Sequence, residues 1–318
     1  YEKEPVTGAY TFCKDYNLFV SKNGKETQVT TDGSYTIVYT GKNVHQNEFG
    51  ISKGTFWSPN GNYLAFYRMD QSDVTDYPII DWTTHPAQNK NIKYPMAGNK
   101  SHHVTLGIYN VNTGKTIYVK TDASTGSASF DKEQYLTNIS WAPDEKHIYI
   151  AVLNRGQNHM MLNEYDATSG NFVHTLFEEK DSKYVEPLNP MLFLKTNLKQ
   201  FVWQSRKDGY NHFYLYNIDG TLVKQLTKGK WEVKADNGFN EKGDLLFFHA
   251  NEQSPVNQDF YSVNVKTAEV KRLTYGNGFH TCVLDSRGNY FIDNYTNVTT
   301  PREYNIINTA TKKAVNFY

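Results

Sequence analysis

Short runs of alternating apolar and polar residues, each closed by a turn-forming cluster, recur along the whole chain. Tyr63-Leu64-Ala65-Phe66-Tyr67, His147-Ile148-Tyr149-Ile150-Ala151, Gln200-Phe201-Val202-Trp203-Gln204 and Asn211-His212-Phe213-Tyr214-Leu215-Tyr216 are strand-sized. They are rich in the aromatic and β-branched residues that suit a pleated, half-buried surface. Few stretches keep a helical period. The longest apolar runs, such as Leu245-Leu246-Phe247-Phe248, fall far short of the roughly 18 residues needed to span a bilayer as a helix.

The alternation has a unit. A strand enters a turn of the Ser-Pro-Asn-Gly kind, leaves as a second strand, and ends in a Gly-centred hairpin before a Thr-rich strand. The opening turn appears as Phe56-Trp57-Ser58-Pro59-Asn60-Gly61 and again as Ser140-Trp141-Ala142-Pro143-Asp144-Glu145-Lys146. Weaker copies are Phe239-Asn240-Glu241-Lys242-Gly243-Asp244 and Leu284-Asp285-Ser286-Arg287-Gly288. Pro presets φ at the second turn position, and Asn, Asp or Gly accepts the positive φ that follows. Closing hairpins sit at Asn23-Gly24, Thr113-Gly114, Ser169-Gly170, Asp219-Gly220 and Lys266-Thr267-Ala268-Glu269. A unit of about 50 residues holding four short strands predicts a β-propeller blade. Openings near Phe56, Ser140, Pro190, Phe239 and Leu284, with a partial unit over residues 9–30, give about six blade units in an all-β chain.

One spacing breaks the rule. Gly24 and Gly114 lie 90 residues apart, whereas the next intervals are 56 and 50. The excess falls between residues 70 and 102 and holds three prolines. Tyr77, Ile79, Ile80, Trp82, Ile92, Tyr94 and Met96 make it too apolar for a solvated loop, so an arm at about 71–98 that contacts another surface is expected.

Composition removes several function classes. The 33 basic residues balance the 33 acidic ones, which disfavours nucleic acid or an anionic membrane surface as the partner. Fifteen per cent aromatic content excludes disorder. The two cysteines, Cys13 and Cys282, are too few for a disulfide scaffold; two buried thiols are expected, with pairing as the alternative. The start, Tyr1-Glu2-Lys3-Glu4-Pro5, has no basic segment leading into an apolar one, so any export signal is expected to be removed or to lie upstream.

Catalytic signatures are missing. The sequence holds no G-x-S-x-G nucleophile elbow, no H-E-x-x-H and no C-x-x-C. No catalytic residue, metal ligand or cofactor is therefore assigned. His102-His103 precedes the strand Val104-Thr105-Leu106-Gly107-Ile108-Tyr109, and adjacent strand residues face opposite sides, so the pair reads as ordinary strand-edge polar groups. The segment Val44-His45-Gln46-Asn47-Glu48-Phe49-Gly50 carries the one chemical suggestion. It places a carboxylate, Glu48, among polar neighbours in a loop, where it is either solvated or paired with a cation such as a peptide amino terminus.

Residues 45–76, with Phe56-Trp57-Ser58-Pro59-Asn60-Gly61 and Ala65-Phe66-Tyr67-Arg68-Met69-Asp70, resemble the propeller of the prolyl oligopeptidase-type serine peptidases, in the branch of dipeptidyl peptidase IV and prolyl tripeptidyl peptidase. Tyr94-Pro95-Met96-Ala97-Gly98, Leu136-Thr137-Asn138-Ile139-Ser140-Trp141, Trp203-Gln204-Ser205-Arg206-Lys207-Asp208-Gly209-Tyr210-Asn211-His212 and Leu226-Thr227-Lys228-Gly229-Lys230-Trp231-Glu232-Val233 extend the resemblance over almost the whole chain. It implies that residues 1–318 form most of an eight-bladed propeller whose start lies about two blades upstream. A C-terminal α/β-hydrolase domain of the same polypeptide would carry the Ser, Asp and His triad outside this chain. It further implies a periplasmic or secreted, cell-surface exopeptidase releasing di- or tripeptides after proline, and a homodimer through the 71–98 arm. The family's double glutamate, carried on a short helical segment, clamps the free amino terminus of the peptide. Its matching positions are Asn47 and Glu48, and only Glu48 keeps the carboxylate, a pattern closer to the tripeptidyl branch.

Two rivals remain on sequence alone. One is a non-catalytic propeller acting as a protein-binding scaffold, which reading the frame beyond Tyr318 for a nucleophile elbow would separate. The other is a carbohydrate-binding or lyase propeller, which would need exposed aromatic platforms rather than aromatics alternating along strands.

Overall fold

The structure is a computed structural model that describes residues 2–4, 6, 8–39, 48–121 and 133–315. All regular structure among them is β-strand, arranged in two compact units, Tyr1–Pro190 and Met191–Tyr318. No helix long and apolar enough to cross a membrane occurs among the described residues.

The first unit holds three blade sheets and a hairpin. In the first sheet β1 (Glu2–Lys3), β2 (Tyr10–Lys14), β3 (Asn17–Lys22) and β4 (Lys25–Gln28) pair in sequence order. The second begins with β5 (Ile37–Val38), β6 (Thr55–Trp57) and β7 (Tyr63–Asp70). Chain order is then interrupted by a separate two-stranded ribbon, β8 (Asp76–Asp81) and β9 (Gln88–Lys93), before β10 (His103–Asn110) and β11 (Thr116–Tyr118) complete the sheet. The third is a four-stranded meander of β12 (Tyr135–Trp141), β13 (His147–Leu153), β14 (His159–Asp166) and β15 (Phe172–Lys180).

The second unit repeats the pattern. The strands β16 (Leu192–Leu194), β17 (Asn197–Ser205), β18 (His212–Asn217) and β19 (Leu222–Gln225) form one meander. A second comprises β20 (Val233–Phe239), β21 (Leu245–Ala250), β22 (Asp259–Asn264) and β23 (Val270–Arg272). A three-stranded sheet of β24 (Phe279–Leu284), β25 (Tyr290–Thr296) and β26 (Glu303–Asn308) ends the described chain. Among the described residues every strand pair is antiparallel, and six of the sheets are the blades of an all-β propeller fold, in line with the repeat.

Local chemistry explains the regularity. The fourth position of the opening turn is Gly61, Glu145, Gly243 or Gly288, and each has φ between 60° and 75°. In each copy its amide donates to the carbonyl three residues back, Ser58, Ala142, Asn240 or Asp285, at 3.0 Å. Glu145 thus occupies a left-handed position that suits glycine. Its carboxylate accepts the Asn60 amide at 2.6 Å and the Asn62 side-chain amide at 2.7 Å, tying the third sheet to the turn of the second. Burial alone would raise its pKa, but hydrogen bonds from Ser58, Asn62 and Asn60 outweigh it and hold the carboxyl below its usual range.

Aromatic side chains fill the spaces between sheets. In the first unit Leu18, Val20, Tyr39, Trp57, Leu64 and Phe66 form one buried cluster. Gly107 on β10 lies opposite Phe66 on β7, and a Cβ at Gly107 would stand 2.4 Å from the Phe66 ring. That close approach is the reason for a glycine in mid-strand. In the second unit Phe213, Trp231, Phe248 and Tyr261 join the two four-stranded sheets, with the Trp231 and Phe248 rings stacked 6.4 Å apart.

The thiols depart from the expectation of two buried groups. Both are free, but only Cys282 is buried, while Cys13 is exposed on the short strand β2. Position 13 lies next to the two-residue turn Asp15-Tyr16 at the sheet end, where alternation no longer enforces burial.

Candidate functional site

The three sheets of the first unit and the ribbon wall a cavity of about 810 Å³. Tyr16 comes from the turn between β2 and β3, where Asp15 and Tyr16 have φ of 48° and 64°. Tyr35, Val38, Met69 and Gln71 come from the ends of β5 and β7. Ile92, Lys93, Tyr94 and Pro95 come from the ribbon and the chain leaving it, and Tyr135, Arg155 and Gln157 from the third sheet. The Gln71 side-chain amide donates to the Tyr35 carbonyl at 2.7 Å, and the Tyr35 hydroxyl donates to the Asn91 carbonyl at 3.2 Å, which ties the ribbon to the wall.

Glu48 lines this cavity. It opens a tight turn in which the Ile51 amide donates to the Glu48 carbonyl at 2.9 Å and Phe49 and Gly50 have φ of 50° and 70°. A bulky residue at positive φ is strained, and such strain persists only where surrounding structure enforces it. Two contacts enforce it here. The buried Phe49 ring packs on Tyr135 with centroids 5.0 Å apart, and Gly50 lies so close to the Leu188 carbonyl that a Cβ would stand 1.9 Å from its oxygen. The Glu48 side chain is exposed, and its carboxylate has no hydrogen-bond or ion-pair partner among the described residues. Residues 48–51 form this left-handed turn, and the chain before Glu48, where the resemblance implies a short helical segment, lies outside the described residues. Asn47, its proposed companion, lies outside the described residues.

Arg155 stands beside Tyr135. Its guanidinium lies over the Tyr135 ring at 5.8 Å, donates from Nη1 to the Tyr135 hydroxyl, and approaches Glu133 through Nε at 3.7 Å. Tyr135 thus contacts both the tilted Phe49 ring and the Arg155 guanidinium, linking the Glu48 turn to a positioned cation. His102 also lines the cavity; burial first, and the Arg155 charge second, push its pKa below the usual imidazole value. It is therefore a neutral wall near pH 7. Lys93 is occupied, with Nζ 3.3 Å from Asp76 and 2.9 Å from the Val74 carbonyl. His103 faces a separate, smaller cleft, so the two histidines diverge as strand alternation requires.

Sequence reasoning found Glu48 but not Tyr135 or Arg155, which occupy an ordinary strand start and hairpin turn without a motif. No group of three or more His, Cys, Asp or Glu residues able to hold a metal ion occurs among the described residues.

Comparison with known proteins gives this cavity a context. The profile of the dipeptidyl peptidase IV (DPP IV) N-terminal region matches residues 4–302. A protein described as a dipeptidyl-aminopeptidase B from Pyrenophora teres is 27% identical over 97% of this chain and 37% of its own length. A crystal structure described as a dipeptidyl aminopeptidase IV from Bacteroides ovatus superposes with a TM-score of 0.88 at 39% identity, over 98% of this chain and 45% of that one. Porphyromonas gingivalis dipeptidyl peptidase 4 gives 0.85 at 26% identity, over 96% and 43%. The chain thus spans less than half the length of these relatives. With blades, repeat and profile in agreement over nearly its whole length, it belongs to the dipeptidyl peptidase IV N-terminal region family.

Proposed function

We infer that this chain is the substrate-gating propeller of a secreted or periplasmic serine exopeptidase that releases di- or tripeptides after proline. In this reading a C-terminal α/β-hydrolase domain supplies the nucleophile, its base and the third triad member. The propeller supplies the ruler: Glu48, with Asn47 beside it, holds the free amino terminus of the peptide. The observation that carries the reading is an exposed carboxylate, without a partner among the described residues, held on a cavity wall by a strained and tightly packed turn. A carboxylate facing an ammonium makes a charge-assisted hydrogen bond, stronger than a neutral one. Backbone strain at Phe49 is a cost that an idle surface glutamate would not explain.

The ribbon belongs to the same proposal as a dimer arm. Tyr77, Ile79, Ile80 and Trp82 remain exposed on it, Trp82 at 75%. An isolated two-stranded ribbon is marginal in water, and an apolar one favours a covering surface.

The test compares two proteins. The full-length polypeptide should hydrolyse proline-containing chromogenic peptides with a free amino terminus and be silenced by a serine-directed inhibitor. Residues 1–318 alone should be inert, because they hold no nucleophile elbow. Inhibitor-sensitive hydrolysis by the isolated chain, or none by the full-length polypeptide, would refute the proposal.

A further inference from the structure

We propose that Arg155 forms an acid-selective subsite, reading the side chain of the peptide's first residue and favouring aspartate or glutamate there. The inference rests on the reading that Glu48 holds the amino terminus, and adds to it the identity of the side chain beside that terminus.

The guanidinium is already positioned. Nε approaches Glu133, Nη1 donates to the Tyr135 hydroxyl, and the guanidinium carbon lies 5.8 Å from the Tyr135 ring centroid. Those contacts leave Nη2 without a hydrogen-bond partner among the described residues, on a side chain that is 35% exposed and lines the cavity. A guanidinium edge presents parallel N–H donors matched to the two oxygens of a carboxylate. The other basic groups of the wall do not compete, since Lys93 is bound to Asp76 and His102 is neutral near pH 7.

Position and charge then agree. Glu48 adjoins Phe49, Phe49 packs on Tyr135, Arg155 contacts the same Tyr135, and Glu48 and Arg155 line one cavity. An acidic first residue carries its ammonium and its side-chain carboxylate on one Cα, and so offers each charged group its complement. A basic first residue brings a second cation toward Arg155, and repulsion between like charges contributes to specificity as much as attraction does. Glu133 moderates the effect, because it already shares the guanidinium charge.

The experiment measures kcat/KM of the full-length peptidase on chromogenic X-Pro and X-Ala-Pro peptides in which X is Glu, Gln or Lys, all with free amino termini. The expected order is Glu above Gln above Lys, with Glu over Gln by about fivefold, the scale of a partly exposed ion pair. Arg155→Gln should bring that ratio near one, Arg155→Lys should keep part of it, and Glu133→Gln should increase it. A Glu-to-Gln ratio unchanged by Arg155→Gln overturns the proposal, and so does an equal loss on all three substrates, which would mean that Arg155 holds backbone or fold. Should Arg155→Gln not fold, an unchanged ratio in Glu133→Gln overturns it alone. Glu48→Gln separates the two readings: it should slow Glu and Gln substrates equally and leave their ratio intact. No change with Glu48→Gln, while the ratio still follows Arg155, would refute the amino-terminus reading and leave this subsite standing.

Discussion

His249 predicts a measurable loss of stability in mild acid. It sits on β21 with 5% exposure, packs its ring 5.0 Å from Phe260, and accepts the Cys282 amide at Nε2 over 2.9 Å. That bond requires a neutral ring with the proton on the other nitrogen, since a protonated Nε2 would face the amide hydrogen. Burial pushes the pKa from 6.5 down to about 4; Asp293 opposes the shift and His280 reinforces it. The sign follows from linkage: the unfolded chain takes up the proton first, so folding stability is present in full above about pH 6.5 and is lost as pH falls toward 4. At 1.36 kcal/mol per pKa unit the loss is on the order of 3 kcal/mol. The assay is urea unfolding of residues 1–318 at intervals from pH 7.5 to 4, compared with His249→Gln, whose amide oxygen can still accept the Cys282 N–H. The variant should be somewhat less stable at pH 7.5 and show a flatter decline below pH 6.5. The same decline in both proteins would refute the reasoning and assign the acid sensitivity to the carboxylates.

Two further outcomes follow from the first unit. Glu145→Gly relieves a left-handed backbone but strips the acceptor from Asn60 and Asn62, so denaturant unfolding should show a net loss of about 1–2 kcal/mol; a gain would mean that backbone strain outweighs the hydrogen bonds. Deleting residues 76–93 and joining the flanks through a short Gly-Ser link should convert a dimer of the full-length protein to a soluble monomer in sedimentation velocity, and an unchanged oligomer would remove the ribbon from the interface.

The blades were legible because their signals are local. Pro59-Asn60-Gly61 and its copies specify turns through φ preferences within a few residues, and the strands between them alternate visibly. The ribbon announced itself by length and apolar content. Other features depend on packing at a distance. Glu145 reads as an imperfect glycine, and only the neighbouring turn shows why a carboxylate is kept there. The first sheet read as a partial unit because its two-residue strand, Glu2–Lys3, is too short to show a period. Glu48 was identifiable from the resemblance, but the strained turn that presents it was not, since Phe49 has no propensity for positive φ. Arg155 joins the cavity only because Tyr135, 20 residues earlier, brings it beside Phe49.

The central claim is that Glu48 reads the positive charge of the peptide's amino terminus, and Glu48→Gln in the full-length peptidase tests it most directly. The substitution keeps size and removes charge, and losing one partner of a desolvated charge pair costs about 2–5 kcal/mol. Substrates with a free amino terminus should lose roughly 30-fold or more in kcat/KM, at about tenfold per 1.36 kcal/mol, while amino-blocked substrates, already poor, should hardly change. Asn47→Glu should act in the opposite sense and shift release toward dipeptides. An equal loss on free and blocked substrates would contradict the account and leave Glu48 as a residue of the fold alone.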